Sequence, residues 1–145
     1  MQSTSSATAM PKTLRYARYL MVILVLRLLG SLLIVAGFNG QLPSYFAVPF
    51  GIGDTTVGLT ALPVAYMLGR GGVRTYALAL VWDVAGLVDL LLAAGVTTYG
   101  GAFGAVSAFF GPAIVLLPID IVVHFVILGL LLTPAVARHF AGRVG

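Results

Sequence analysis

The chain has no cysteine and no glutamate, and only 8% of its 145 residues are charged. The first absence excludes disulfides, thiolate metal sites and a cysteine nucleophile, and leaves the redox compartment open. The second leaves Asp54, Asp83, Asp89 and Asp120 as the whole acidic complement. The third, set against 60% hydrophobic residues and a mean hydropathy of +1.08, excludes a soluble globule, because there is too little polar surface to cover one.

What the chain has instead is long apolar runs. A bilayer core of roughly 30 Å takes about 20 residues of helix, and four runs of that length occupy residues 19–38, 45–68, 76–95 and 113–132. Their links are short, so the expected architecture is all-α: an integral membrane four-helix bundle with antiparallel up-down topology. The expected domain plan is a disordered tail over 1–14, a transmembrane domain over 15–136 and a C-terminal tail over 137–145. The first run exceeds the ~7 to 15 residues of a signal-peptide core, and "VAGFNG" is a poor cleavage site, so it is read as a retained span.

The cations are sorted along the chain. Lys12, Arg15 and Arg18 precede the first run, Arg70 and Arg74 fill the link between the second and third, and Arg138 and Arg143 follow the fourth. No Lys or Arg lies between Arg27 and Arg70, or between Arg74 and Arg138. This pattern satisfies the positive-inside rule and places both termini in the cytoplasm. It also assigns these cations to lipid headgroups rather than to nucleic acid.

Ionisable residues inside the runs mark the candidate site, because each is costly in hydrocarbon and must be neutralised. Arg27 lies about eight residues, or ~12 Å, inside the first run. It either snorkels to the headgroups or turns inward to a carboxylate, and Asp83, ~10 Å inside the third run, lies at a matching depth. An Arg27–Asp83 ion pair is one expectation. In "GIGDTTVG" the Asp54 carboxylate reads as a helix N-cap, with the preceding "FAVPFGIG" irregular or re-entrant.

Asp120 and His124, four residues apart, share one helical face, and Pro118 predicts a kink before them. Asp89 and Asp120 fall at one level, ~9 to 10 Å from the outer end, with His124 one turn deeper. Asp83 and Asp89 flank a ridge of Ala79, Gly86 and Ala93, small residues that let helices approach closely. Asp54, Asp89, Asp120 and His124 are therefore the candidate proton- or ion-binding groups. They would share protons or hold a cation, with Asp89, Asp120 and His124 as ligands if that ion is a divalent metal. Haem with two histidine ligands has no second partner, because His139 lies in the tail. Thr55, Thr56 and Ser107 are nucleophile candidates only in that they are present, and no base is assigned to them. Outside the membrane, "TTYGGAFGAVSAFFGP" reads as an aromatic belt, a lid or a partner surface.

The runs "VPFGIGDTTVGLTALPVA", "GLVDLLLAAG" and "LPIDIVVHFVILGLL" resemble small, uncharacterised bacterial membrane proteins with four spans, over roughly residues 15–133. The resemblance implies a bacterial inner-membrane setting and carries no activity or residue roles. Three functions are compatible with the residues. The first is a proton- or cation-binding transporter or membrane-complex subunit. The second is an accessory subunit whose polar groups fix helix packing, and the third is an intramembrane enzyme acting on a lipid-soluble substrate. Four short helices enclose little volume, so a solute pathway calls for a homo-oligomer or a membrane-protein partner.

Overall fold

The computed structural model describes residues 9–142, and among these residues every regular element is helical. Helix α1 (Lys12–Phe38) starts after Pro11, whose carbonyl accepts from the Arg15 N–H at 3.2 Å. Its middle, Leu24–Gly30, is wound as a 3-10 helix before α-helical winding resumes over Ser31–Phe38. The chain then turns a tight corner. Gly40 takes φ 69°, a conformation that costs glycine little, and the Gln41 and Leu42 amides both close on the Ala36 carbonyl at 2.9 and 3.3 Å.

Helices α2 (Ser44–Arg70) and α3 (Val73–Tyr99) each have 27 residues and are joined by two glycines. A short helix α4 (Phe103–Phe110) follows. Gly111 at φ 52° breaks it, and a 3-10 turn over Gly111–Val115 leads into α5 (Leu116–Leu131). Helix α6 (Pro134–Ala141) opens with Pro134 in its first turn, where the missing N–H costs no helical bond.

Three stretches are long and apolar enough to cross a membrane: Lys12–Phe38, Val73–Tyr99 and Phe103–Leu131. Helix α2 matches the first two in length but is diluted by Pro49, Pro63, glycines and threonines. Large apolar side chains such as Leu26, Leu29, Leu59, Val81, Leu116 and Phe125 are exposed, whereas Arg27, Asp83 and His124 are buried. That inversion of a soluble protein's pattern suits a hydrocarbon surrounding.

Two apolar clusters flank a polar layer. At the end that carries the start of α1 and helix α6, Leu14, Met21, Ala61, Leu68, Ala79, Ile127 and Leu131 pack together. At the other end, Leu33, Phe46, Phe50, Ala93 and Val106 do so. The start of α1 thus packs with the end of α2, the start of α3 and the end of α5. The ridge of Ala79, Gly86 and Ala93 is buried throughout.

Four expectations from the sequence need correction. Asp54 caps nothing, because α2 runs unbroken from Ser44 through the supposedly irregular segment. Pro49 lies in its second turn and forfeits a single bond, while Gly51 and Gly53 serve close approach: a Cβ on Gly51 would lie 2.9 Å from the Gly30 carbonyl oxygen. Pro118 falls in the first turn of α5, so it needs no kink there, and the break sits earlier at Gly111. Helix α1 begins at Lys12, inside the stretch read as a tail, and the remainder of that tail over residues 1–8 lies outside the described residues.

The last correction concerns the C-terminal stretch, which is α6 rather than a tail up to Ala141. Val136 and Phe140 are buried in the terminal apolar cluster, and Phe140 stacks on Tyr76 at 4.9 Å between ring centroids. Tyr76 in turn donates to the Leu131 carbonyl at 3.0 Å. Phe140→Ala is expected to cost about 3 to 5 kcal/mol and to raise amide exchange in α6 before any other helix. Unchanged exchange there would show that α6 is held by other contacts.

Candidate functional site

Arg27 organises the polar layer. Its Nε and Nη2 both meet Asp54 Oδ1, at 2.7 and 2.5 Å, and Nη2 also meets Asp89 Oδ2 at 2.8 Å. Asp120 Oδ2 lies 3.4 Å from Nε. On the opposite edge, Nη1 lies 3.1 Å from His124 Nε2 and 3.4 Å from the Gly86 carbonyl oxygen. One guanidinium on α1 is therefore shared by acids on α2, α3 and α5 and by the imidazole on α5. Only arginine's planar fork of five N–H groups can serve so many acceptors at once.

The expected Arg27–Asp83 pair does not form. Asp83 Oδ1 instead meets His124 Nδ1 at 2.8 Å. The physical reason is depth. Helix α1 starts at Lys12 rather than residue 19 and gains extra rise in its 3-10 stretch, which puts Arg27 ~24 Å from its start. Asp54 and Asp89 lie at the same ~24 Å, counted from Arg70 and Val73, whereas Asp83 lies only ~15 Å from Val73. His124 bridges the two levels.

The contacts settle the tautomer. A guanidinium can only donate, so His124 Nε2 accepts from Arg27, and Nδ1 carries the hydrogen donated to Asp83. His124 is neutral in this arrangement, and both its nitrogens are used. Asp83 and His124 are fully buried, and Asp83 Oδ2 has no hydrogen-bond partner among the described residues. The Asp54, Asp89 and Asp120 side chains keep 23%, 22% and 21% of their exposure. The cluster thus has a sealed end at Asp83 and an accessible end at three carboxylates.

Glycines make the space. A Cβ on Gly53 would lie 2.6 Å from the Asp89 carboxyl carbon, and one on Gly86 would lie 2.6 Å from His124 Cε1. One on Gly30 would overlap the Asp54 side chain. Asp54, Asp89 and His124 each rest in the gap left by a glycine on a neighbouring helix. Beside the layer, Trp82 donates to Thr60 Oγ1 at 2.8 Å, and its ring lies 6.3 Å from that of His124.

The match that decides the family covers residues 4–132 of this chain and belongs to a domain of unknown function, DUF8737. The chain belongs to the DUF8737 family. No curated protein and no solved structure matches it.

In this DUF8737 chain the structure brings Asp54, Asp89, Asp120 and His124 together, but around a guanidinium rather than an empty centre. Among the described residues no three acidic or histidine side chains are disposed to hold a metal. The set Asp89, Asp120 and His124 is instead turned toward Arg27, whose positive charge stands where a divalent ion would. Thr55 and Thr56 donate to the Gly51 and Ile52 carbonyls, and Ser107 to Gly104, each within its own helix. None of these three hydroxyls is paired with a base among the described residues.

The sequence reasoning missed Arg27 as the centre, and with it the roles of Gly30 and Gly53. One signal was available. Arg27 is the only cation between Arg18 and Arg70, and a lone intramembrane cation goes to the largest group of acids that it can reach.

Proposed function

We propose that this is a four-span inner-membrane protein, with both termini in the cytoplasm, whose Arg27-centred cluster binds and releases protons in the service of transport or of a larger membrane complex. A single observation carries the reading: one guanidinium meets three carboxylates, and the fourth, Asp83, meets only the imidazole that lies against that guanidinium. Fully ionised, the layer would hold four negative charges against one positive. Such an excess is prohibitive away from water, so protons make up the balance.

The geometry supports a mechanism for coupling. A proton arriving at His124 Nε2 removes the acceptor that Arg27 uses and sets two positive groups face to face. Arg27 then depends on Asp54, Asp89, Asp120 and the Gly86 carbonyl, which shifts the balance of contacts between α5 and the α1–α2–α3 group. Protons enter through the three accessible carboxylates, and Asp83 closes the far end.

Infrared difference spectroscopy on the detergent-purified protein tests this. Protonated carboxyl absorption at neutral pH is expected, and Asp54→Asn and Asp89→Asn should each remove part of it. Absence of that absorption, together with a titration that counts no protons bound, would overturn the reading. The accessory-subunit reading foresees a different result: Asp89→Asn with His124→Ala lowers stability or complex yield and leaves the proton count unchanged. Elemental analysis of the same preparation separates a bound cation from a bound proton.

A further inference from the structure

The proton reading uses every acid in the chain, and this leaves the peripheral cations without acidic side chains to pair with. Between the first turns of α1 and the last turns of α2 lies a groove of about 700 Å³ whose lining includes Arg15, Arg18, Tyr19, Val22, Leu62 and Tyr66. We propose that this groove is a specific binding site for an anionic phospholipid, with the headgroup phosphate between Arg15 and Arg18 and an acyl chain over Val22 and Leu62. It lies apart from the Arg27 cluster, and the inference does not depend on what that cluster does.

Three observations support it. The first is that Arg18 is held in place: its Nε donates to the Ala65 carbonyl at 2.7 Å, and Nη1 lies 3.7 Å from Met10 Sδ. Gly69 leaves room for the head, since a Cβ there would lie 2.6 Å from Arg18 Nη1. Nη2 lies over the same glycine, and no hydrogen bond engages it among the described residues. A guanidinium fixed by a backbone carbonyl, with N–H groups still unengaged, is prepared for a phosphate.

The second observation is charge. All four aspartates lie in the polar layer, and the Ser/Thr-rich segment before the groove, "MQSTSSATA", has no acid to offer. A negative partner from outside the chain would complement this basic end. The third is composition. Tyr19 and Tyr66 are 60% and 57% exposed, and Val22 and Leu62 are 43% and 51% exposed, giving a basic end that continues into an apolar wall. Aromatic residues at the headgroup level and basic pockets between helices suit an anionic lipid better than a soluble anion.

The test is native mass spectrometry of the full chain in mild detergent, titrated with phosphatidylglycerol or with phosphatidylcholine of the same acyl length. The wild type should retain one phosphatidylglycerol in preference to phosphatidylcholine. A basic residue near the headgroups contributes roughly fivefold, so Arg15→Gln with Arg18→Gln should weaken retention about 25-fold. Arg138→Gln, on α6, should leave it unchanged. Leu62→Trp keeps both cations and fills the apolar wall, so it should also lose the lipid, which separates a built site from general attraction to negative charge. Retention unaffected by the double variant, or equal for the two lipids, would overturn the proposal. Displacement by millimolar inorganic phosphate would overturn it as well, by showing a free-anion site.

Discussion

Arg27→Leu should leave no stably folded protein. The substitution removes the one cation that Asp54, Asp89 and Asp120 share, and it removes the donor that fixes the His124 tautomer. Breaking one partner out of a buried ion pair costs about 3 to 5 kcal/mol, a large part of the roughly 5 to 15 kcal/mol that a domain has in total. Three acids lose their partner here at once. Thermal unfolding in detergent should show a collapsed or absent transition.

Arg27→Lys is expected to fall between, since an ammonium keeps the charge but cannot reach carboxylates on three helices and the imidazole together. Combining Arg27→Leu with Asp54→Asn and Asp89→Asn should recover much of the loss, because the uncompensated charge goes with the cation. A single Arg27→Leu variant as stable as the wild type would mean that the cluster is already neutral without its arginine.

The second large effect is steric. Gly30 sits on α1 against Asp54 on α2, and any Cβ there would occupy the space of the Asp54 side chain. Gly30→Ala should cost about 1 to 3 kcal/mol, the usual range for overpacking, and Gly30→Leu should prevent α1 and α2 from meeting. The damage should also be electrostatic, since displacing Asp54 withdraws the acid that makes the shortest contact with Arg27. Gly129→Ala is the control, because a Cβ there meets nothing within 4 Å. If Gly30→Ala and Gly129→Ala unfold at the same temperature, α1 and α2 are not packed as closely as described.

Membrane character was legible in the sequence because it rests on averages: scarce charge, long apolar runs and cations sorted to particular links. The inward placement of Ala79, Gly86 and Ala93 was legible for a similar reason, since a seven-residue repeat of small residues sets a face whatever the helix ends do. The pairing of Arg27 was not. It depends on depth, and depth depends on where α1 starts and how tightly it is wound. Beginning the helix seven residues early and stretching Leu24–Gly30 moves the side chain from the level of Asp83 to that of Asp89.

Asp54 shows a different failure. Glycine and proline near an aspartate read as a helix boundary in water, where glycine is a breaker and a short acid is a cap. Against neighbouring helices the same glycines are points of closest approach, and the helix passes straight through them. The local signal was real, but packing reversed its meaning.

The 3-10 winding of Leu24–Gly30 also sets the phase of the first helix. A 3-10 helix turns 120° per residue against 100° for an α-helix, so seven residues rotate one half of α1 against the other by ~140° relative to uniform α winding. Arg27 lies in the middle of that stretch. The apolar face of Leu14, Met21 and Leu24 and that of Leu33 and Ala36 are therefore registered to their separate partners through this twist. Swinging Arg27 out of the cluster by rewinding the stretch would put both faces out of register at once, which couples the charge at the centre of the bundle to the packing at both of its ends.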